Sequence, residues 1–438
     1  MDIEDRLELL KKERPSRRRA DSITETWRKM DKRRDLSTKE KLERLLSLTR
    51  TEKGPKAGAS RSEPQPKPPF QVFENHYRLQ SRYGRIALSS GLAISGEILA
   101  LLSRDSAFSE RDLSTALFLD LETTGLSGGA GVVPFLVGLG YYREGQFHLQ
   151  QFFLGELAEE ESMLLELGRF FARTHFRSLV TFNGKAFDLP LLETRFTLHR
   201  AAFPLSGLPH LDFLFSARSL WSHKQESCRL YHLAREILTA EREEDIPSAE
   251  IPVRYFEYLR TGDFSLIEPV LYHNQEDLLS LLGVVIVGAG FLSEATGGEA
   301  ETEADAMDLF GAAKILEKAG AMEKSVRLIH RALEGRLSEE VELQAKERLA
   351  RHFKKNREWD KAISLWQQMT PRHSLSCFRE LAVHYEHREK DYAKAAAVAA
   401  EGLGLASGVS RSYEEDFSHR LERLRGKISR REGDGGRR

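Results

Sequence analysis

The pattern of apolar and polar positions changes along the 438-residue chain. From Phe70 to about Ser293, short apolar runs alternate with stretches of helical periodicity, which is typical of an α/β domain. From about Asp305 the strand-like runs disappear and only helical periodicity remains. The pattern therefore predicts an α/β domain at residues 70–293 and an all-α domain at residues 305–425.

Several elements of the α/β region can be predicted from short stretches. STALFLDLETTG predicts a strand that ends in polar residues, and RSLVTFNG predicts another that ends at Asn-Gly. VPFLVGLGYYREGQFHLQQFFLG predicts two strands joined at Glu144-Gly145, a dipeptide that favours a tight hairpin. EEESMLLELGRFFARTH predicts a helix, since its acidic first turn suits the positive end of a helix dipole.

Three stretches of the all-α region resemble one another: GAMEKSVRLIHRAL, REWDKAISLWQQM and KDYAKAAAVAAEGL. Their lysines Lys324, Lys361 and Lys394 are in register at spacings of 37 and 33 residues. A period near 34 residues with paired helices resembles tetratricopeptide repeats, in which each pair buries its apolar face against the next. The glycine and tyrosine positions usual in that repeat are poorly kept, so an ordinary helical bundle is the alternative.

The two ends of the chain lack such patterns. Residues 1–69 carry 20 Lys and Arg against 13 Asp and Glu, whereas the whole chain has a formal net charge of -1. Within this arm, residues 51–69 are rich in Gly, Ser and Pro and predict a linker. A basic arm fits contact with a polyanion or a merely solvated tail. Residues 426–438 predict a disordered tail.

Cysteine usage and hydropathy indicate the cellular setting. Cys228 and Cys377 are far apart and lack CxxC spacing, so the chain suggests neither a disulfide framework nor a structural zinc site. The N-terminus has no apolar segment typical of a secretion signal, and no window of eighteen residues is both apolar and uncharged. We expect a soluble cytoplasmic protein that does not bind a membrane.

Two carboxylates in the stretch FLDLETTG are the first candidates for chemistry. Because side chains alternate faces along a strand, Asp120 and Glu122 project on the same side, next to Thr123 in a Thr-Thr-Gly turn. Two buried like charges are costly without a cation, so the pair favours a divalent metal. The alternative is an acidic strand edge that faces solvent.

Two further motifs lie later in the chain. In TFNGKAFDLPLL, the pair Asn183-Gly184 permits a left-handed turn. Asp188 follows as a candidate for chemistry, but taken alone it is better interpreted as a helix N-cap. In LYHNQEDLL, His273 and Asp277 are four residues apart and share a helix face, while Tyr272 is displaced by about a quarter turn. Taken alone, a His-Asp pair with this spacing is more often a surface hydrogen bond than a catalytic pair.

In this order, the three motifs resemble those of the DEDD exonucleases of the ribonuclease H-like superfamily. The resemblance is closest to the YprB-type ribonuclease H-like domain of bacteria and covers about residues 70–290. It is carried by DLETTGLSGG, LVTFNGKAFDLPLL, LPHLDFLFSARSLW, SCRLYHLA, REEDIPSAEIPVRYFEYLRTGD and HNQEDLLSL.

The resemblance implies a mixed β-sheet flanked by helices and a metal-dependent 3′-5′ exonuclease that acts on DNA or RNA. It assigns four carboxylates to two Mg²⁺ or Mn²⁺ ions: Asp120, Glu122, Asp188 and Asp277. Hard oxygen ligands suit both ions. Asn183 and Phe187 are expected to contact the terminal nucleotide, as is Thr123.

The resemblance also implies a fifth residue that orients or deprotonates the attacking water. Related enzymes have a histidine five positions before the last aspartate or a tyrosine four positions before it. Here the order is reversed, with Tyr272 five and His273 four residues before Asp277. Helical geometry favours His273 for this role.

Some alternatives stay open. The domain could be a non-catalytic scaffold that binds nucleic acid while the repeats recruit a protein partner. It could also be an endonuclease of the ribonuclease H type, but those enzymes lack a tight Asp-x-Glu pair, so the stretch DLETTG argues against this alternative. His210 and Asp212 fit either support of the metals or an exposed edge. Arg218, Lys224 and Arg229 fit either phosphate contact or a solvated face.

Overall fold

The computed structural model describes residues 70–125, 131–243, 245–297, 304–370 and 374–435. The predicted basic arm and linker at residues 1–69 lie outside this part of the chain. The described residues form two compact units: one includes those up to Phe215 together with Arg229–Ile286, and the other includes Ser216–Cys228 and those from Val287 onward.

This division differs from the predicted boundary at residues 293–305. Ser216–Cys228 belongs to the second unit, and the Lys224 side chain has its partners there. Lys224 Nζ lies 2.8 Å from Asp305 Oδ2 and 2.9 Å from Asp308 Oδ2. Lys224 therefore pairs with carboxylates of the protein, and its predicted role on a solvated or phosphate-binding face was wrong.

Strands of the first unit form a mixed sheet of six in the order β1-β6-β5-β4-β7-β8. Their bounds are β1 Phe70–Arg78, β4 Ala116–Thr123, β5 Pro134–Arg143, β6 Gln146–Leu154, β7 Ser178–Thr181 and β8 His210–Asp212. Strands β1, β6, β5 and β4 pair antiparallel, while β4, β7 and β8 pair parallel. A separate ribbon contains β2 Arg82–Tyr83 and β3 Ile86–Ala87. The mixed sheet is confirmed.

Helices flank this sheet within the first unit, and α-helices also form the region after residue 304. Up to residue 296 they are α1 Gly96–Ser103, α2 Glu160–Thr174, α3 Asp188–Leu198, α4 Phe213–Trp221, α5 Leu230–Leu238, α6 Ile251–Thr261 and α7 Glu268–Thr296. After residue 304 they are α8 Ala306–Lys318, α9 Met322–Glu334, α10 Glu339–Lys355, α11 Trp359–Met369, α12 Leu375–His384, α13 Tyr392–Ala406 and α14 Arg411–Gly435.

The predicted hairpin joins β5 to β6. Glu144 and Gly145 have φ of 49° and 73°, so both occupy the left-handed region that a two-residue hairpin turn requires. Arg143 and Gln146 pair directly on either side of the turn. The turn sets the register of these two central strands.

Aromatic packing fixes α6 against the sheet. The Phe135 ring on β5 stacks on the Tyr255 ring of α6 with centroids 3.9 Å apart. The Tyr255 hydroxyl donates to the carbonyl of Leu154 at 2.9 Å, so this buried phenol has a partner. The segment before α6 is thereby held close to the sheet.

Helix α7 lies in a long apolar stretch. Phe264–Glu294 has a mean hydropathy of 1.7 and enough length and apolar composition to cross a membrane. However, 83% of its most apolar window is buried inside the protein. A core helix has the same composition, so the stretch does not indicate a membrane span.

The second unit is all-helical after residue 304, as predicted. The three similar stretches lie on α9, α11 and α13, each following another helix of the series. Their assignment to tetratricopeptide repeats stays a prediction.

The predicted disordered tail from residue 426 was wrong as far as Gly435, because α14 continues to that residue. Its basic side chains have partners. Lys427 Nζ donates to Glu386 Oε1 at 2.8 Å, and Arg431 donates to the carbonyl of Lys390 at 2.9 Å. Glu386 is 1% exposed, and Lys427 is one of the cations that its buried charge requires, together with Arg420 and Arg423.

Candidate active site

Strand β4 carries the first two predicted ligands, Asp120 and Glu122. It lies between β5 and β7, so it is a central strand and not a solvent-facing edge. Leu121 between them is buried on the other face, while both acids are half-buried. The alternative of an exposed acidic edge was therefore wrong.

The third carboxylate, Asp188, reaches β4 from the start of α3. Asn183 adopts φ of 73°, as the Asn-Gly motif predicted, and the chain turns back after β7. Asp188 is the first helical residue and Phe187 is the N-cap, so the N-cap alternative for Asp188 was wrong. Its carboxylate accepts a hydrogen bond from the backbone of Leu121. Asp188 therefore lies next to Asp120.

Asp212 at the end of β8 holds the turn that precedes Asp188. It is 3% exposed and accepts hydrogen bonds from the backbone N–H groups of Asn183 at 2.7 Å and Lys185 at 3.1 Å. His210 Nε2 lies 2.7 Å from Thr181 Oγ1, and burial with the charge of Lys185 lowers the pKa of His210 to about 4. Both residues support the turn, and the exposed-edge alternative was wrong for them.

Helix α7 supplies His273 and Asp277. His273 Nε2 lies 3.6 Å from Asp277 Oδ2 and 3.9 Å from Glu122 Oε1. Tyr272 instead hydrogen-bonds to the backbone of Glu243. The expected shared face of His273 and Asp277 is confirmed, and the pair is buried, not on the surface.

The segment between α5 and α6 adds two residues that sequence reasoning missed. The Arg242 side chain is 1% exposed, and its Nη2 lies 2.6 Å from Asp277 Oδ1. Its Nη1 lies 3.1 Å from Asp245 Oδ2, and Asp245 Oδ1 lies 2.7 Å from His273 Nδ1. These contacts connect the segment to both functional side chains of α7. The only sequence signal for these two residues was the charged stretch REEDIPSAE. The sequence does not distinguish Arg242 and Asp245 from the exposed acids beside them.

Asn274 was also missed, although it follows His273 directly. It is fully buried, and its Nδ2 donates to Asp120 Oδ2 at 2.8 Å. Gln151 on β6 donates to Asn274 Oδ1 at 2.8 Å, so the amide orientation is fixed. Gly138 on β5 pairs with Asp120 and leaves room for this amide. Asn274, Gln151 and Gly138 together hold Asp120 in one orientation.

Gly138→Ala should destabilise the first unit. A Cβ at Gly138 would lie 2.1 Å from Asn274 Oδ1, so the amide must move away from Asp120. We expect a loss of about 1–3 kcal/mol in the free energy of unfolding, measured by hydrogen exchange of β4 and β5 in the full chain. Gly131→Ala is the matched control, since a Cβ there meets nothing within 4 Å. Equal stability of both variants would contradict this role of Gly138.

The acids raise one another's pKa values. Burial raises the pKa of Asp120 well above its usual range, and the charges of Asp277 and Asp188 raise it further. Burial likewise raises the pKa of Glu122, followed by the charge of Asp120. Burial raises the pKa of Asp188 to about 7. The site therefore has a strong preference for a cation or for bound protons.

The pKa values of His273 and Asp245 shift toward their charged forms, unlike those of the three acids above. Burial is the largest single influence and opposes the charge of each, but the mutual hydrogen bond and the neighbouring charges together outweigh it, so the pKa of His273 is raised and that of Asp245 is lowered. Asp277 adds to the effect on His273, and Arg242 adds to the effect on Asp245.

The donor chemistry fits a divalent ion such as Mg²⁺ or Mn²⁺, because carboxylate oxygens from β4, α3 and α7 meet at one place. Within the described residues, however, no three His, Cys, Asp or Glu side chains are already grouped so as to hold a metal ion. Asp277 instead contacts Arg242, and Asp120 contacts Asn274. The ligand roles and the number of ions stay predictions.

Divalent ions should stabilise the protein more at high pH than at low pH. A carboxyl whose pKa is raised by folding stabilises the folded state at low pH, and this contribution is lost as the pH rises toward about 7 for Asp188. A cation replaces the lost protons. The increase in Tm caused by Mn²⁺ should therefore be larger at pH 8 than at pH 6, and Asp188→Asn should reduce the difference. An equal increase at both pH values would contradict the proton-binding cluster.

The three residues predicted to contact substrate, Thr123, Asn183 and Phe187, have different partners and exposure. The Thr123 hydroxyl donates to the carbonyl of Gly125 at 2.6 Å and so supports the turn after β4. Asn183 is half-buried, whereas Phe187 is 54% exposed. The exposed ring lies directly before Asp188 in the chain, so it provides an apolar surface next to the acids. Substrate contact by these residues stays a prediction.

Comparison with known proteins agrees with this geometry. Residues 117–287 match the family RNase_H_2 of the RNase_H superfamily. The chain is similar to the uncharacterized protein YprB of Bacillus subtilis (strain 168), with 32% identity over 370 residues that cover 82% of this chain and 86% of YprB. It also aligns with the family B DNA polymerase of the hyperthermophilic archaeon Pyrobaculum calidifontis at a TM-score of 0.34 and 15% identity, covering 50% of this chain and 29% of the polymerase. That last similarity is too low to carry an argument.

Proposed function

The chain belongs to the family of YprB and carries a domain of the RNase H superfamily, and from this premise we propose that it is a metal-dependent 3′-5′ exonuclease acting on DNA or RNA. Members of the superfamily are nucleases that act on nucleic acid. The observation that carries the proposal is the convergence of carboxylates from three separate segments at one end of the central strand β4. The direction of cleavage rests on the resemblance of the three motifs to the DEDD exonucleases.

In the proposed mechanism, four side chains would hold one or two divalent ions: Asp120, Glu122, Asp188 and Asp277. When bound, such ions polarise the phosphodiester and lower the pKa of a bound water. Asn274 holds Asp120 in place through its hydrogen bond of 2.8 Å. Asp212 holds the turn that presents Asp188.

His273 is the residue suited to accept a proton from the attacking water. Its Nε2 faces Glu122 and Asp277, so the nitrogen points into the carboxylate cluster. Burial of the ring at 5% exposure limits its access to bulk solvent. Phe187 offers its exposed ring for stacking with the terminal base, a contact that tolerates any base.

Acyl transfer by a Ser-His-Asp triad would fit the distances around His273 but not the charges that surround it. Ser248 Oγ lies 3.4 Å from His273 Nε2, and His273 Nδ1 lies 2.7 Å from Asp245 Oδ1, as in a Ser-His-Asp triad. Acyl transfer needs hydrogen-bond donors for a developing oxyanion. Here Nε2 faces carboxylates, so the geometry favours metal-dependent hydrolysis.

The proposal is tested with 3′- and 5′-labelled single- and double-stranded DNA and RNA in Mg²⁺, Mn²⁺ or EDTA. We expect release of mononucleotides from the 3′ end with either ion and none in EDTA. Binding without any product would favour the alternative, a nucleic-acid-binding scaffold whose helical repeats recruit a protein partner. The intact acid set counts against that alternative. The protein partner and the cytoplasmic location stay predictions.

A further inference from the structure

A further aspartate, Asp245, contacts the site without belonging to the predicted ligand set. Asp245 lies in the segment between α5 and α6, and its Oδ1 is 2.7 Å from His273 Nδ1. The side chains of Asp245 and His273 are 8% and 7% exposed, so water has little access to this hydrogen bond.

Arg242 holds Asp245 in this orientation. Its Nη1 lies 3.1 Å from the other carboxylate oxygen of Asp245, so both oxygens have partners. Its Nη2 lies 2.6 Å from Asp277 Oδ1 and donates to Ser280 Oγ at 2.8 Å. The guanidinium carbon also lies 5.5 Å from the centre of the Tyr231 ring. With contacts on several sides, the guanidinium has little freedom to turn, and neither does Asp245.

The hydrogen bond determines which ring nitrogen of His273 carries the proton. A carboxylate only accepts hydrogen bonds, so Asp245 selects the tautomer with hydrogen on Nδ1. In that tautomer Nε2 carries a lone pair that can accept a hydrogen bond or a proton. Ser248 Oγ lies 3.4 Å from this nitrogen, and Glu122 and Asp277 lie 3.9 and 3.6 Å from it. The opposite tautomer would present a donor N–H at Nε2 and could not accept a proton from water.

We propose that Asp245, held by Arg242, is a positioning residue that fixes the Nδ1–H tautomer of His273 so that Nε2 can accept a proton from the attacking water. This inference rests on the proposed nuclease function. It gives a role to a segment that contains neither a predicted metal ligand nor a predicted substrate contact.

The kinetic test compares Asp245→Asn with Asp245→Glu in the full chain with Mn²⁺ and a labelled oligonucleotide. An asparagine amide can donate to Nδ1 and so favours the opposite tautomer. We expect kcat of Asp245→Asn to fall roughly a hundredfold to ten-thousandfold, the usual contribution of a general base. KM and the Kd for Mn²⁺ should stay within about twofold of their values in the unchanged protein, because Asp245 is expected to contact neither the substrate nor the metal ion. Asp245→Glu should restore part of kcat.

Asp263→Asn is the matched control. Asp263 accepts hydrogen bonds from Ser265 N at 3.1 Å and Ser265 Oγ at 2.7 Å at an exposed turn, so the same substitution removes a carboxylate outside the site. Its kcat should equal that of the unchanged protein. Unchanged kcat in Asp245→Asn, or a loss of Mn²⁺ binding equal to the loss of kcat, would overturn the positioning role.

A spectroscopic measurement tests the tautomer without any turnover. Nitrogen chemical shifts of ¹⁵N-histidine in the full chain distinguish protonated from unprotonated ring nitrogens, and the His273 signals are those lost in His273→Gln. We expect hydrogen on Nδ1 in the unchanged protein and on Nε2 in Asp245→Asn. Hydrogen on Nε2 in the unchanged protein would refute the inference even if the enzyme is active. An inactive protein with hydrogen on Nδ1 would refute the proposed function and leave the tautomer assignment standing.

Discussion

Asp120→Asn should abolish metal-dependent cleavage and at the same time raise the Tm of the metal-free protein. Asp120 lies at the centre of a buried acid cluster, and its pKa is raised by burial and by the charges of Asp277 and Asp188. An asparagine removes one of these repelling charges while its side-chain oxygen can still accept the hydrogen bond from Asn274. Stability and activity should therefore change in opposite directions.

The expected changes in cleavage rate and in Tm follow from the two roles of the Asp120 carboxylate, which are to bind a metal ion and to repel the neighbouring acids. A bound metal ion contributes several kcal/mol of transition-state stabilisation, so loss of its ligand should slow cleavage by about a thousandfold or more. Relief of repulsion worth about 1 kcal/mol would raise the Tm by roughly 2–4 °C. Mn²⁺ should increase the Tm less in this variant than in the unchanged protein.

Asp112→Asn is the control for this substitution. Asp112 accepts a hydrogen bond from Ser114 N at 2.9 Å at an exposed turn just before β4. Its cleavage rate and its response to Mn²⁺ should match those of the unchanged protein. Full activity in Asp120→Asn, or a lower Tm without metal, would contradict the account of a repelling cluster that binds a cation.

Arg242→Gln should strongly destabilise the first unit. Arg242 Nη2 contacts Asp277 at 2.6 Å and Nη1 contacts Asp245 at 3.1 Å, with the guanidinium almost fully buried. Removing one partner of a buried ion pair leaves an uncompensated charge and typically costs about 3–5 kcal/mol. Divalent ions should recover part of this loss, because a cation bound at Asp277 would again offset its charge.

Hydrogen exchange of peptides from β4 and α7 in the full chain measures this free energy of unfolding. The matched control is Arg235→Gln, since Arg235 pairs with Glu236 at 2.8 Å on the surface and both side chains are largely exposed. That change should cost less than about 0.5 kcal/mol. Equal protection in the two variants would show that Arg242 does not stabilise the acids.

The features predicted correctly from the sequence are those that depend on local geometry. Alternation along a strand placed Asp120 and Glu122 on one face, and a four-residue spacing placed His273 beside Asp277. Glu144-Gly145 indicated a hairpin because few dipeptides adopt two successive left-handed conformations. Apolar runs separated the sheet region from the helical region.

The features that were missed depend on contacts between distant segments. Arg242 and Asp245 lie between α5 and α6, yet they contact Asp277 and His273 on α7, far away in the sequence. Asn274 has a partner on β4 that no spacing reveals. The segment after residue 426 was predicted to be disordered because the partners of Lys427 and Arg431, which are Glu386 and the carbonyl of Lys390, lie far away in the sequence. Local sequence patterns cannot show contacts between side chains that lie far apart in the chain.

The central claim is that the acids of β4, α3 and α7 form a metal-dependent centre that removes nucleotides from a 3′ end. The most direct measurement is a time course with one 5′-labelled single strand and Mn²⁺, with its 3′ hydroxyl either free or blocked. The account predicts a ladder that shortens one nucleotide at a time from the free 3′ end, no ladder from the blocked strand, and none in EDTA. Equal cleavage of the blocked strand, or no cleavage of either strand, would contradict it.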